Sequence, residues 1–219
     1  MKQGKMSTRY VTVCGMLISL AFVSVVLCKP IPNVSGFLSY EPKDAIIAIG
    51  GFIFGPLTCV IISVLTSLIE MLTISNTGPW GFLMNVVSTC AFTVPAAYFY
   101  RRFHSQKGAI ARLALGVVVL AAVMVAWNYI VTPFYMGVER SVVAGMLATV
   151  FLPFNLVKGG LNAGITMLLY KPVVTALRKA KLVDQGSGQK GRFSLGFTLL
   201  TVAVLTTFIL LLLAMIGIL

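Results

Sequence analysis

The chain has 219 residues, of which 58% are hydrophobic and 10% charged, with a mean hydropathy of +0.99. A soluble domain carries about 25% charged residues to cover its water-facing surface, so this composition excludes one and specifies an integral membrane protein with short connections. The formal charge of +12 invites a nucleic-acid reading, which the distribution of the basic residues along the chain then removes.

In chain order, Lys2, Lys5 and Arg9 precede an apolar stretch from Tyr10 to Cys28. It is longer than a signal-peptide core and no small-x-small cleavage site follows it, so it reads as a first transmembrane helix. Gly15 and Ser19 form a small-xxx-small pair on it, which lets a second helix approach closely, either inside the bundle or from a partner. The loop from Lys29 to Lys43 holds Pro30, Pro32, Asn33, Gly36 and Pro42. It is either a lid over an external mouth or an ordinary connection.

Asp44 to Phe54 forms a short second segment, stopped at Gly55-Pro56. Leu57 to Ser75 is the third span and Gly81 to Tyr100 the fourth. Ala109 to Thr132 is the fifth, closed by Pro133, and Met146 to Tyr170 the sixth. A linker over 183–193 leads to an uncharged seventh span, Ser194 to Leu219.

A cytoplasmic N-terminus sorts the charges. The tail, the fourth-to-fifth connection (Arg101 to Arg112) and the segment from Lys171 to Arg192 then lie inside, leaving Lys29, Lys43 and Arg140 outside and Lys158 within a span. That is a positive-inside bias, so the basic excess reflects topology and anionic lipid rather than nucleic acid. The four cysteines sit in apolar runs without a CxxC pair, and read as small buried hydrophobes.

Polar residues within the spans are the informative ones, because each is costly in lipid unless paired or in contact with a ligand. Ser63, Thr66, Ser67 and Glu70 recur at i, i+3, i+4 and i+7, a single stripe about 100° wide. Asn85, Ser88 and Thr89 repeat the spacing on the fourth span. Asn155, Lys158 and Asn162 share a face of the sixth, beside Gly159. Trp127, Asn128, Tyr129 and Thr132 mark the outer end of the fifth. These stripes are expected to face one another, as interhelical hydrogen bonds or as a binding site. Lys158 is expected either to pair with Glu70 or to face a ligand, with Tyr40 at the external mouth. The chain lacks HExxH, GxSxG and GxxxxGK[ST] motifs, and its one histidine, His104, lies in a basic loop. An enzyme is not expected, nor ATP binding through a P-loop. Amides, aromatics and one cation suit a polar organic molecule such as a vitamin.

With these residues in place, the chain resembles the substrate-binding S component of energy-coupling factor (ECF) vitamin transporters, the riboflavin type above all, from about Tyr10 to Leu177. The run Asp44 to Pro56 is similar to the family's D-x-P-x-x-I-G-G-x-x-F-G-P helix. Gly81 to Asn85, Asn128-Tyr129 with Pro133 and Tyr135, and Phe154-Asn155 with Lys158 match further family motifs. Thr66-Ser67 stands where the riboflavin type carries Lys-Asn, and Tyr40 to Asp44 replaces an Asp-Phe-Ser-Asp loop.

The resemblance implies an all-α bundle of six helices over residues 1–182; the linker over 183–193 and the additional C-terminal helix over 194–219 lie outside the family's six. It implies an outward-opening pocket capped by the first loop, with Asn85, Asn128, Tyr129, Asn155 and Lys158 toward the ligand. It also implies a transmembrane T subunit, docked on the Gly15 and Ser19 face, and two ABC-type ATPases as partners. No resident cofactor is expected, and the ligand is riboflavin or a similar vitamin. Other readings are an S component for pantothenate or a pyridoxine-like compound, and a membrane scaffold whose stripes only hold helices together.

Overall fold

The computed structural model describes residues 8–102, 106–183 and 195–218. Its regular elements, among the described residues, are helices: α1 (Thr8–Cys28), α2 (Lys43–Phe54), α3 (Pro56–Thr73), α4 (Gly78–Arg102), α5 (Gln106–Met136), α6 (Arg140–Met146), a π turn (Leu147–Phe151), α7 (Leu152–Lys179) and α8 (Leu195–Ile216). Among these, α1, α3, α4, α5, the continuous Arg140–Lys179 segment and α8 are long and apolar enough to cross a membrane. The protein is a multi-pass membrane protein.

Helix α2 is the exception that organises the rest. Twelve residues at 1.5 Å each reach about 18 Å, against a hydrocarbon core of about 30 Å. It therefore begins at membrane depth, with Lys43 and Asp44 fully buried. It packs against α1, α3, α4 and α7, and nearly every one of its residues is buried. Two glycines permit this: a Cβ on Gly51 would collide with Cys59 of α3 and meet Ala97 of α4 at 2.9 Å, and one on Gly50 would press on Leu17 and Ile62 at 3.0 Å. Gly55, at φ 110°, makes the turn into α3, and Pro56 opens that helix where its missing N–H is harmless.

Two boundaries differ from the sequence reading, and α4 and α5 carry internal prolines. Helix α5 runs through Pro133 to Met136, and α4 contains Pro95. A proline near a helix end frees few backbone partners, and neighbouring helices tolerate it in membranes. The sixth span begins at Arg140 rather than Met146, and a π turn widens it before α7. At the end of that turn Asn155 Nδ2 donates to the Phe151 carbonyl at 2.8 Å. The linker expected over 183–193 falls, after residue 183, outside the described residues.

One end of the bundle is closed by aromatics. Phe52 stacks on Tyr100 with ring centroids 4.4 Å apart, the Tyr100 and Tyr170 hydroxyls are 2.6 Å apart, and Tyr10 sits edge-on to Phe54. The opposite end carries the loop over 29–42, where Val34 and Leu38 exchange backbone hydrogen bonds of 2.9 and 3.0 Å.

Candidate functional site

The polar stripes do face one another. Ser63, Thr66, Ser67 and Glu70 of α3, Ser88 and Thr89 of α4, Asn128 and Thr132 of α5, and Asn155, Lys158 and Asn162 of α7 are all at most 5% exposed. Those of α3, α4 and α7 lie around the first turn of α2, and so meet Lys43, which the sequence reading left outside, and Asp44.

Lys43 is the hub. Its Nζ lies 2.8 and 2.6 Å from the two oxygens of Glu70 and 2.8 Å from Glu41 Oε2. Glu70 Oε2 also accepts from Asn85 Nδ2 at 3.0 Å. Asp44 Oδ1 accepts from the Thr89 hydroxyl at 2.6 Å. The alternative partnership of Lys158 with Glu70 is not what forms. Lys158 Nζ donates to Ser88 Oγ at 3.3 Å and stands 3.8 Å from Asp44 Oδ2 and 3.9 Å from Glu41 Oε2. The reason is depth: α2 brings its own lysine to Glu70, leaving Lys158 to the loop and α2 carboxylates.

Asn162 secures the junction between loop and helix. Its Oδ1 accepts from Ala45 N and its Nδ2 donates to the Glu41 carbonyl, both at 3.2 Å. Asn128 is held locally, donating to the Met124 carbonyl and accepting from Thr132. Tyr129 is not brought into the cluster. The residue is 42% exposed, with its ring under the Arg140 guanidinium at 5.4 Å, because the residue after an inward-facing Asn128 lies 100° around the helix.

Two cavities adjoin the cluster. One of 290 Å³ lies beneath the loop and is lined by Lys29, Asn33, Ser39, Tyr40, Glu41 and Asn76, with Val25, Cys28 and Ile31. It approaches the range of about 300–1,000 Å³ typical of small-molecule sites. Another, of 20 Å³, sits between α4 and α5 among Trp80, Met84, Trp127, Thr132 and Tyr135. Tyr40 thus stands at the mouth, its hydroxyl buried without a hydrogen-bond partner. Burial, then Asp44, push its phenol well above the ordinary range. Burial also pushes the Glu41 carboxyl up, but Lys43, Lys158 and Lys29 together pull it below its ordinary 4.5.

Chemically, the cluster sets two ammonium groups and several amides against three carboxylates inside an apolar bundle. Among the described residues no group of three His, Cys, Asp or Glu side chains is placed to hold a metal. The arrangement can select a polar organic molecule by hydrogen bonds.

On the outer surface of α1, Gly15 and Ser19 are exposed, with nothing within 4 Å of a Cβ at Gly15. Among the described residues the pair is exposed rather than packed.

Residues 9–170 match the family described as ECF transporter, substrate-specific component. The chain belongs to that family. It is 26% identical to the riboflavin transporter FmnP of Bacillus subtilis (strain 168) over 194 residues, covering 81% of this chain and all of the relative. It is 28% identical to the riboflavin transporter RibU of Staphylococcus aureus (strain TCH60) over 185 residues, covering 82% and 95%. Its fold is similar to that reported as the structure and mechanism of the S component of a bacterial ECF transporter. That likeness has TM-score 0.67 and 26% identity, over 78% of this chain and 98% of the other. As a transporter's substrate-binding component the chain is not an enzyme.

Proposed function

We propose that this S component binds riboflavin at the outer side of a bacterial cytoplasmic membrane, for ATP-driven import. The observation that carries this reading is the likeness, over nearly their whole lengths, to transporters named for riboflavin. The site's chemistry supports it. A flavin is a flat ring edged by carbonyls and ring nitrogens, with a polyhydroxyl tail. Asn128, Asn155 and Asn85 can meet such edges with amides, and Lys158 can donate a charge-assisted hydrogen bond. Trp80 and Trp127 offer aromatic faces between α4 and α5. Binding exchanges some of the internal contacts of Lys158 and Asn85 for contacts to the ligand, with Tyr40 and Glu41 closing over it. The vitamin is cargo, and the proposal calls for no resident cofactor.

Import also needs an energy source that the chain's motifs do not supply. The exposed Gly15 and Ser19 face is the docking surface we assign to a transmembrane T subunit, itself coupled to two ABC-type ATPases. The N-terminus is then cytoplasmic, as the basic residues favour. Mass spectrometry of small molecules that co-purify with the protein tests the cargo. Riboflavin in the extract is the expected result, and a different metabolite retained in stoichiometric amount would overturn the assignment.

A further inference from the structure

The family match ends at residue 170, and α8, beginning at Leu195, lies wholly beyond it. Helix α8 nevertheless packs closely along α7. At 100° per residue, Asn155, Lys158 and Asn162 define one face of α7, and Gly160 and Gly164 lie about 180° around from it. Those glycines form the seat of α8. A Cβ on Gly160 would run into the Phe208 ring, and one on Gly164 would meet Leu205 Cδ2 at 2.6 Å and Cγ at 2.8 Å. In lipid no hydrophobic gain drives helices together, so association rests on such close contacts at small residues. Helix α8 has them where α7 turns its back on the site.

The outer end of α8 makes a second connection. Leu212, 7% exposed, joins an apolar cluster with Val34 and Leu38 of the loop, Val143 of α6, Phe151 of the π turn, and Phe154 and Val157 of α7. Met215 and Ile216 pack against the same cluster. Three residues beyond Leu38 is Glu41, which pairs with Lys43 and is held through its carbonyl by Asn162. The same helix thus braces the back of α7 and the apolar root of the loop, and the binding groups hang from both.

We infer that α8 is a brace for the binding site, with Phe208 and Leu205 as positioning residues that hold the Asn155, Lys158 and Asn162 face and keep the loop over 33–41 closed. The ligand half of this inference rests on the riboflavin reading; the half about the loop does not. A rival role, in which α8 only anchors the C-terminal segment in the bilayer, predicts no coupling to either.

The test uses the full chain in lipid nanodiscs, comparing the parent with Phe208→Ala/Leu205→Ala and the conservative Phe208→Leu. Hydrogen exchange of the amides over 33–41 and 155–162 is read without ligand, and riboflavin dissociation by flavin fluorescence. The double variant is expected to exchange faster in both segments and to release riboflavin about tenfold faster at unchanged association rate, since interface changes act mainly through dissociation. Phe208→Leu should stay near the parent. Should the double variant unfold, Gly164→Cys/Leu205→Cys supplies the converse. Oxidation should slow exchange over 33–41 and reduction should restore it. Unchanged exchange over 33–41 in either construction overturns the brace. Faster exchange with no riboflavin binding by the parent would leave the brace standing and remove the cargo assignment.

Discussion

Lys43 and Glu70, 27 residues apart in sequence, form a buried ion pair in which the lysine Nζ reaches both carboxylate oxygens, at 2.8 and 2.6 Å. The pair joins the first residue of α2 to the last inward-facing turn of α3, and Glu70 passes the connection to Asn85 on α4. Removing one member of a buried pair leaves an uncompensated charge, which destabilises by about 3–5 kcal/mol. Lys43→Met leaves Glu41 and Glu70 without their shared cation, and it should lower stability by that order. Adding Glu70→Leu to it should recover part of the loss, since the second charge goes too. Thermal and denaturant unfolding of the two single variants and the double measure this as a cycle. A Lys43→Met protein as stable as the parent would show that the pair contributes nothing.

Glu41 ties the loop to the cluster, and its acid dependence has a definite sign. Its folded pKa lies below the ordinary 4.5 because the three lysines outweigh the effect of burial. Stabilisation by the charged form is therefore complete above the unfolded value and is lost as pH falls through the folded one. The contribution of this carboxylate should be flat from about pH 7 to about pH 5 and should disappear only in stronger acid. Glu41→Gln should flatten that acid limb of a melting-temperature profile. Superimposable acid limbs for parent and variant would assign the loss to other groups.

The exposed face of α1 predicts a separation of functions. Gly15→Leu/Ser19→Leu adds side chains on a face that is exposed among the described residues, so stability should shift by no more than about 0.5 kcal/mol and riboflavin binding should persist. Against a partner helix the same side chains overpack a close contact, typically by about 1–3 kcal/mol. Co-purification with a T subunit and ATPases, and uptake by cells, should fall together. Full uptake by the double variant would move the docking surface elsewhere.

Much of this architecture is legible in the sequence, because hydropathy and helical period report directly on lipid contact. The α3 stripe from Ser63 to Glu70 and the α7 face of Asn155, Lys158 and Asn162 are buried as their spacing requires. The pairing of charges was not legible. Lys43 and Asp44 border a proline-rich loop and so count as external by position alone. The signal that could have placed them is the length of the apolar run that follows, too short to cross a bilayer and therefore starting within it. Tyr129 lies on a different face from its buried neighbour Asn128, which adjacency in sequence does not reveal. The role of α8 was also hidden, because Gly160 and Gly164 acquire meaning only when Phe208 and Leu205 are seen against them.

Lys158 carries the central claim that the buried polar cluster is the riboflavin site. Lys158→Met keeps the length and apolarity of the side chain. Asp44 retains Thr89 and Glu41 retains Lys43, so the fold should survive. Titration of the purified parent, Lys158→Met and the outward-facing control Tyr129→Phe with riboflavin, followed by flavin fluorescence, tests this most directly. The parent and the Tyr129 variant should saturate at one riboflavin per chain. Lys158→Met should bind roughly 10- to 150-fold more weakly, for a lost charge-assisted hydrogen bond of about 1.5–3 kcal/mol. Equal affinity in all three proteins, or no saturable binding by the parent, would contradict the account.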